Sequence, residues 1–236
     1  MRPNTWRSAK KRHSLTADRR ALADVIKGVC CTMMLCRFDD QIHWAERPEW
    51  LKVSLRGLAS ANTEEIIDWM ARIMRHRPVI GQAAPGAPFG AALRAAADEV
   101  LSIASELAKR VQHGTVKVQN FDYKAIEITY TPSLLKDGAS TPVIATAVHA
   151  DVVPAGDVSS WSTVDPFILT RVGGKLIGRG VCDNLNGVAT SMMLIQILDH
   201  LIGQGKIRPR CRYRVIVGFN EESGMACLKH YLRQVT

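Results

Sequence analysis

The chain has 236 residues, 47% of them hydrophobic, which is enough for one sizeable core or for a domain plus a tail. The most apolar early stretch, 21–36, is broken by Asp24 and Lys27 and falls short of the roughly 18–20 apolar residues of a membrane span, so neither a span nor a membrane partner is expected. The formal net charge is +9, and residues 1–60 hold 12 Lys/Arg against 6 Asp/Glu, a surplus of +6 confined to one end, which argues against a nucleic-acid-binding face.

In residues 1–60 the basic positions Arg2, Arg7, Lys10, Lys11, Arg12, Arg19 and Arg20 form a run with no acid before Asp18. A solvated tail or a transit-type peptide fits that composition. Trp6, Trp44 and Trp50 are scattered, and no period assigns the segment a fold. Cys30, Cys31, Cys36, Cys182, Cys211 and Cys227 form no C-x-x-C pair, and Cys30, Cys31, Cys36 and nearby His43 do not match zinc spacing. Reduced thiols in a cytoplasmic or organellar protein are the expectation.

Asn62 or Thr63 is placed to cap a helix, with Glu64 and Glu65 in its positive first turn and Ile66, Ile67, Met70, Ile73 and Met74 at helical spacing. Pro78 lies beyond its end. Pro85, Gly86, Pro88 and Gly90 make 81–90 a loop. A long Ala-rich helix is predicted over 91–111, with Ala92, Ala95, Ala96, Val100, Ile103, Leu107 and Val111 on its apolar face. Strands are predicted over 125–130, 142–148, 176–179 and 212–219, and helices over 186–202 and 224–232. That order suggests an α/β fold, a mixed sheet flanked by helices.

Three segments concentrate metal-type side chains where a strand hands over to a loop, the place where open α/β sheets build sites. The first is His149-Ala150-Asp151, whose outer residues share one side of an extended chain. An incidental histidine at a strand end is the plainer alternative. The second is Gly178 to Asn184, where Asp183 suits a bridging carboxylate or equally an N-cap of the following helix. The third is Asn220-Glu221-Glu222-Ser223-Gly224. Adjacent carboxylates there suit a ligand beside a proton acceptor, or a negative first turn on the last helix.

Taken together, the strings His149-Ala150-Asp151-Val152-Val153-Pro154, Gly178-Arg179-Gly180, Asp183 and Glu221-Glu222-Ser223-Gly224 are telling. In this order they resemble the di-zinc metallopeptidase family that includes carnosinase, peptidase-V-type dipeptidases, acetylornithine deacetylase and succinyl-diaminopimelate desuccinylase. The resemblance covers about 62 to the end. It divides the chain into a basic segment, 1–60, and the N-terminal part of a di-zinc peptidase catalytic domain, 61–236, an incomplete α/β sandwich.

The resemblance implies that His149 binds one zinc, oriented by Asp151, that Asp183 bridges two zincs and that Glu222 binds the other. Glu221 would be the general base that activates a metal-bridging water, so that Asp151 and Glu221 serve catalysis and His149, Asp183 and Glu222 hold metal. The implied substrate is a dipeptide; an N-acyl amino acid is the alternative within the family. Two departures accompany it. Asn184, Leu185 and Asn186 stand where the family has Asp-Lys-Gly. The family's last Asp and His ligands would fall beyond Thr236, so a truncated form is expected, whose partner chain supplies the rest or which acts only in interactions. His200 and His230 are read as structural.

Overall fold

The computed structural model describes residues 49–135 and 141–235. The basic run and the Cys30, Cys31, Cys36 and His43 cluster lie outside the described residues. Two consecutive helices open the described chain, α1 (Glu49–Ala61) and α2 (Thr63–Met74). The capping expected of Asn62 or Thr63 is not made. With no linker between the helices, Asn62 Nδ2 donates to the Leu58 carbonyl at 2.7 Å and Thr63 Oγ1 to the Ala59 carbonyl at 3.1 Å. The Leu58 carbonyl also accepts the Asn62 amide at 3.1 Å, so both side chains serve the end of α1 and not the start of α2.

Helix α3 spans Ala91–Arg110. Its buried face is Leu93, Ala96, Ala97, Val100, Ile103, Ala104 and Leu107. Ala92 and Ala95 stand partly exposed, because Leu93 brings more apolar area and turns the helix toward itself. Gly90 precedes it at φ 103, and a Cβ there would lie 2.8 Å from the Gly81 backbone, so only glycine fits.

The main sheet has four strands. Strands β1 (Gly114–Phe121) and β2 (Ala125–Pro132) pair antiparallel, β2 pairs antiparallel with β6 (Arg212–Gly218), and β6 pairs parallel with β3 (Val143–His149). The sheet is therefore mixed, as expected. A parallel pair needs a crossover, and residues 150–211, which include the helix α4 (Leu185–Gly203), supply it. A separate two-stranded hairpin joins β4 (Thr170–Val172) to β5 (Lys175–Ile177) through Gly173 and Gly174, whose φ values of 53° and 76° suit a tight hairpin turn. The last helix is α5 (Ala226–Val235).

The period of two sorts the sheet's side chains between its faces. Ile126, Ile128 and Tyr130 of β2 and Tyr213, Val215 and Val217 of β6 enter the large core under α2, α3 and α4. On the other face Phe121, Ala125 and Ile216 pack with Tyr231 of α5. That face also holds a polar cluster: the Glu127 carboxylate accepts from the Tyr231 hydroxyl at 2.6 Å and from Thr129 at 2.8 Å, with Arg214 Nε at 3.2 Å. Helix α4 is long and apolar enough by length and composition to cross a membrane, yet 72% of that window is buried inside the fold. It is the core helix. Its Asp199 accepts from the Gln112 and His113 amides and the Tyr130 hydroxyl at 2.8–2.9 Å, which ties the turn between α3 and β1 to α4.

Candidate metal centre

The parallel pairing of β3 with β6 sets His149 opposite Gly218. It thereby brings the loop after β3, with Asp151, beside the loop after β6, with Glu221 and Glu222. Asp183 arrives at the end of the crossover, two residues before α4, and its peptide bond to Asn184 is cis. The N-capping alternative for Asp183 is not taken: Asn184 is the N-cap residue, and Asp183 Oδ1 lies 3.1 Å from His149 Nε2. Nor do Glu221 and Glu222 form a first turn, since α5 begins at Ala226.

All five predicted residues converge. His149 is 6% exposed, and its Nδ1 faces the backbone carbonyl of Asp151 at 2.9 Å, with the Asp151 carboxylate at 3.5 Å. Asp151 is 2% exposed, and its oxygens accept the Glu221 and Glu222 amides at 3.0 Å each. Glu221 Oε2 stands 3.6 Å from His149 Nε2. Ligand-capable atoms of His149, Asp183 and Glu222 all lie within 4.8 Å of one another. A cavity of about 370 Å³ opens onto the group, with Ala147, Met225 and Leu228 on its apolar side.

The electrostatics follow from this crowding. Burial lowers the His149 pKa, but hydrogen bonds to Asp151 and the charges of Asp151 and Asp183 outweigh it and raise the pKa to about 9. Burial pushes the Glu222 carboxyl above its usual range, and the charges of Asp183, Glu221 and Asp151 push the same way. Four carboxylates around one imidazole are an unbalanced anionic group, which a divalent cation would balance. One imidazole with oxygen donors is also a donor set that zinc accepts.

His200 and His230, read as structural, lie outside the group. His200 Nε2 lies 2.8 Å from the Gln204 side chain, and His230 Nε2 lies 3.0 Å from Asp122. Among the described cysteines, Cys182 is exposed, Cys211 half-buried and Cys227 buried. Where the family's Lys would stand, Leu185 is fully buried in the core. Sequence reasoning gave no role to Asn220, which is 3% exposed at the root of the glutamate loop.

With the geometry in hand, comparison with known proteins agrees. Residues 145–236 match the model of Peptidase family M20/M25/M40. The resemblance to this peptidase family is thus shown over that segment. Succinyl-diaminopimelate desuccinylase 2 of Shewanella loihica is 44% identical over 79 residues, 34% of this chain and 20% of its own. YtjP of Bacillus subtilis, named as a dipeptidase, is 28% identical over 172 residues, 72% of this chain and 33% of its own. Human carnosine dipeptidase 1 shares the fold with a TM-score of 0.56 at 18% identity, covering 79% of this chain and 38% of that one. The di-peptidase Dug1p of Saccharomyces cerevisiae gives 0.52 at 19% identity, over 77% and 37%. The chain spans about a fifth to a third of the length of these two curated relatives.

Proposed function

We propose that this chain carries the first part of a metal-dependent hydrolase site that cuts the amide bond of a dipeptide. The observation that supports this best is the convergence of His149, Asp183 and Glu222 on one point, with Glu221 Oε2 3.6 Å from the same imidazole nitrogen. His149 Nε2, Asp183 and Glu222 would hold the cation, zinc by this reading. A bound cation of that kind supplies Lewis acidity and lowers the pKa of water. The Asp151 carbonyl fixes the imidazole by holding Nδ1, leaving Nε2 to face the carboxylates. Glu221, partly exposed and facing the cavity, accepts a proton at its carboxylate and returns it to the leaving amine.

Elemental analysis of the purified chain after zinc addition and desalting tests the reading, with Asp183→Ala as control. Zinc retained by the chain and lost in the variant would support it. No retained zinc would overturn the enzyme reading for this chain alone. The 44% identity to a desuccinylase favours a second reading, an N-acyl amino-acid deacylase built on the same residues. Hydrolysis of an N-succinyl amino acid in preference to an unblocked dipeptide would select it.

A further inference from the structure

Glu221 and Glu222 sit on a short loop between the end of β6 and the start of α5, and something must hold that loop. Asp151 holds its first half through the two amides already described. The second half has its own anchor. The Asn220 carbonyl accepts the Met225 amide at 2.8 Å, and the Asn220 side-chain oxygen accepts the Ala226 amide at 2.9 Å. One residue thus closes the neck of the loop with main chain and side chain together. Inside the neck, Gly224 and Met225 take left-handed backbone at φ 109° and 59°, and the Gly224 amide reaches the Glu221 carbonyl at 3.3 Å. A non-glycine residue at such a φ is uncommon and needs surrounding bonds to keep it there.

The chemistry of the neck explains why an amide side chain serves it. The Ala226 N–H is one of the four donors that a helix start leaves without a partner. Asn220 is buried at 3% exposure, so its oxygen must accept a hydrogen bond or be a cost. The two needs meet in one bond. Its length fixes the distance from the β6 end to the α5 start, and hence the path of the backbone bearing both carboxylates.

We infer that Asn220 is a positioning residue for the Glu221–Glu222 pair, acting through the loop neck and not by touching a cation or substrate. The inference rests on the metal-centre reading for its functional half and on geometry alone for its structural half. Two measurements on the full chain separate them: amide hydrogen exchange of the metal-free protein, and zinc affinity by chelator competition. The Met225 and Ala226 amides are expected to be protected in the wild type; absence of protection there overturns the inference without any variant. Asn220→Leu, of similar size, is expected to raise their exchange rates tenfold or more and to weaken zinc binding about tenfold or more, the scale seen when a supporting group behind a ligand is lost. Asn220→Asp keeps the accepting oxygen and is expected to restore both to within about threefold of wild type by the same logic. Faster exchange in Asn220→Leu with unchanged zinc affinity overturns the positioning role. If wild type binds no zinc, the proposed function fails, and unprotected Met225 and Ala226 amides would still sink the loop-neck assignment.

Discussion

The Asp151 carboxylate and the Glu222 backbone amide form a 3.0 Å hydrogen bond, and the Glu221 amide makes its twin to the other oxygen. The aspartate expected to orient a histidine meets that ring with its backbone carbonyl at 2.9 Å, while its charged group grips the neighbouring loop. The ends of two strands are locked to each other by one side chain that is itself 2% exposed.

Asp151→Asn keeps the shape but points an N–H group at one of those amides. The substitution is expected to weaken zinc binding about 10–100-fold, the usual loss when a group behind a metal ligand is removed. Chelator competition measures it. Affinity equal to wild type would show that the carboxylate's grip on the loop is unimportant to the site.

Zinc should also stabilise the native chain. At 100 times its Kd, a ligand bound only by the folded state adds about 2.7 kcal/mol. Urea unfolding with and without zinc should show a gain of that order, absent in His149→Ala. An equal gain in the variant would mean that the cation binds elsewhere.

Acid should loosen the packing of α2 on α3. Burial raises the Glu99 pKa, but hydrogen bonds from Arg75, His76 and Arg72 outweigh it and hold the carboxyl at about 2, against an ordinary 4.5. The folded value lies below the unfolded one, so this stabilisation is complete above pH 4.5 and is lost as the pH falls toward 2. With partial solvent screening it amounts to about 2 kcal/mol. Glu99→Gln is expected to be less stable than wild type at pH 7 and to converge with it only as the pH falls to about 2. Parallel urea midpoints for the two proteins across that range would contradict the assignment.

Asp199→Ala would strand the Gln112 and His113 amides and the Tyr130 hydroxyl together. Loss of a buried charged acceptor of this kind costs about 3 kcal/mol. Chemical denaturation reads it directly. A cost under about 0.5 kcal/mol, the range of ordinary surface changes, would show that water replaces the carboxylate.

The sheet was legible where apolar runs were continuous. The strands at Val143–His149 and Arg212–Gly218 fall where they are expected, to within a residue. Strand β1 was not, because Val116 and Val118 alone mark its inner side among Lys117, Gln119 and Asn120. Helix α1 was hidden in a segment without period, and its Trp50 and Val53 remain exposed. The five site residues could be named from motifs. The grip of Asp151 on the glutamate amides could not, because it depends on a parallel register between strands distant in sequence. Asn220 carried no signal beyond adjacency, since a buried asparagine looks like any other until its partners are seen.

The pairing of β3 with β6 also sets the order in which the molecule can assemble. Hairpin β1–β2 closes a short loop, whereas β3 and β6 meet only after the whole crossover of residues 150–211 has been gathered. Contacts of long sequence separation carry the larger closure entropy and slow folding. Since His149 and the glutamate loop become neighbours only through that pairing, the ligand group is a late product of folding. A cation arriving there acts as a latch on the finished fold, and its imprint is expected on the unfolding rate with the folding rate left nearly unchanged.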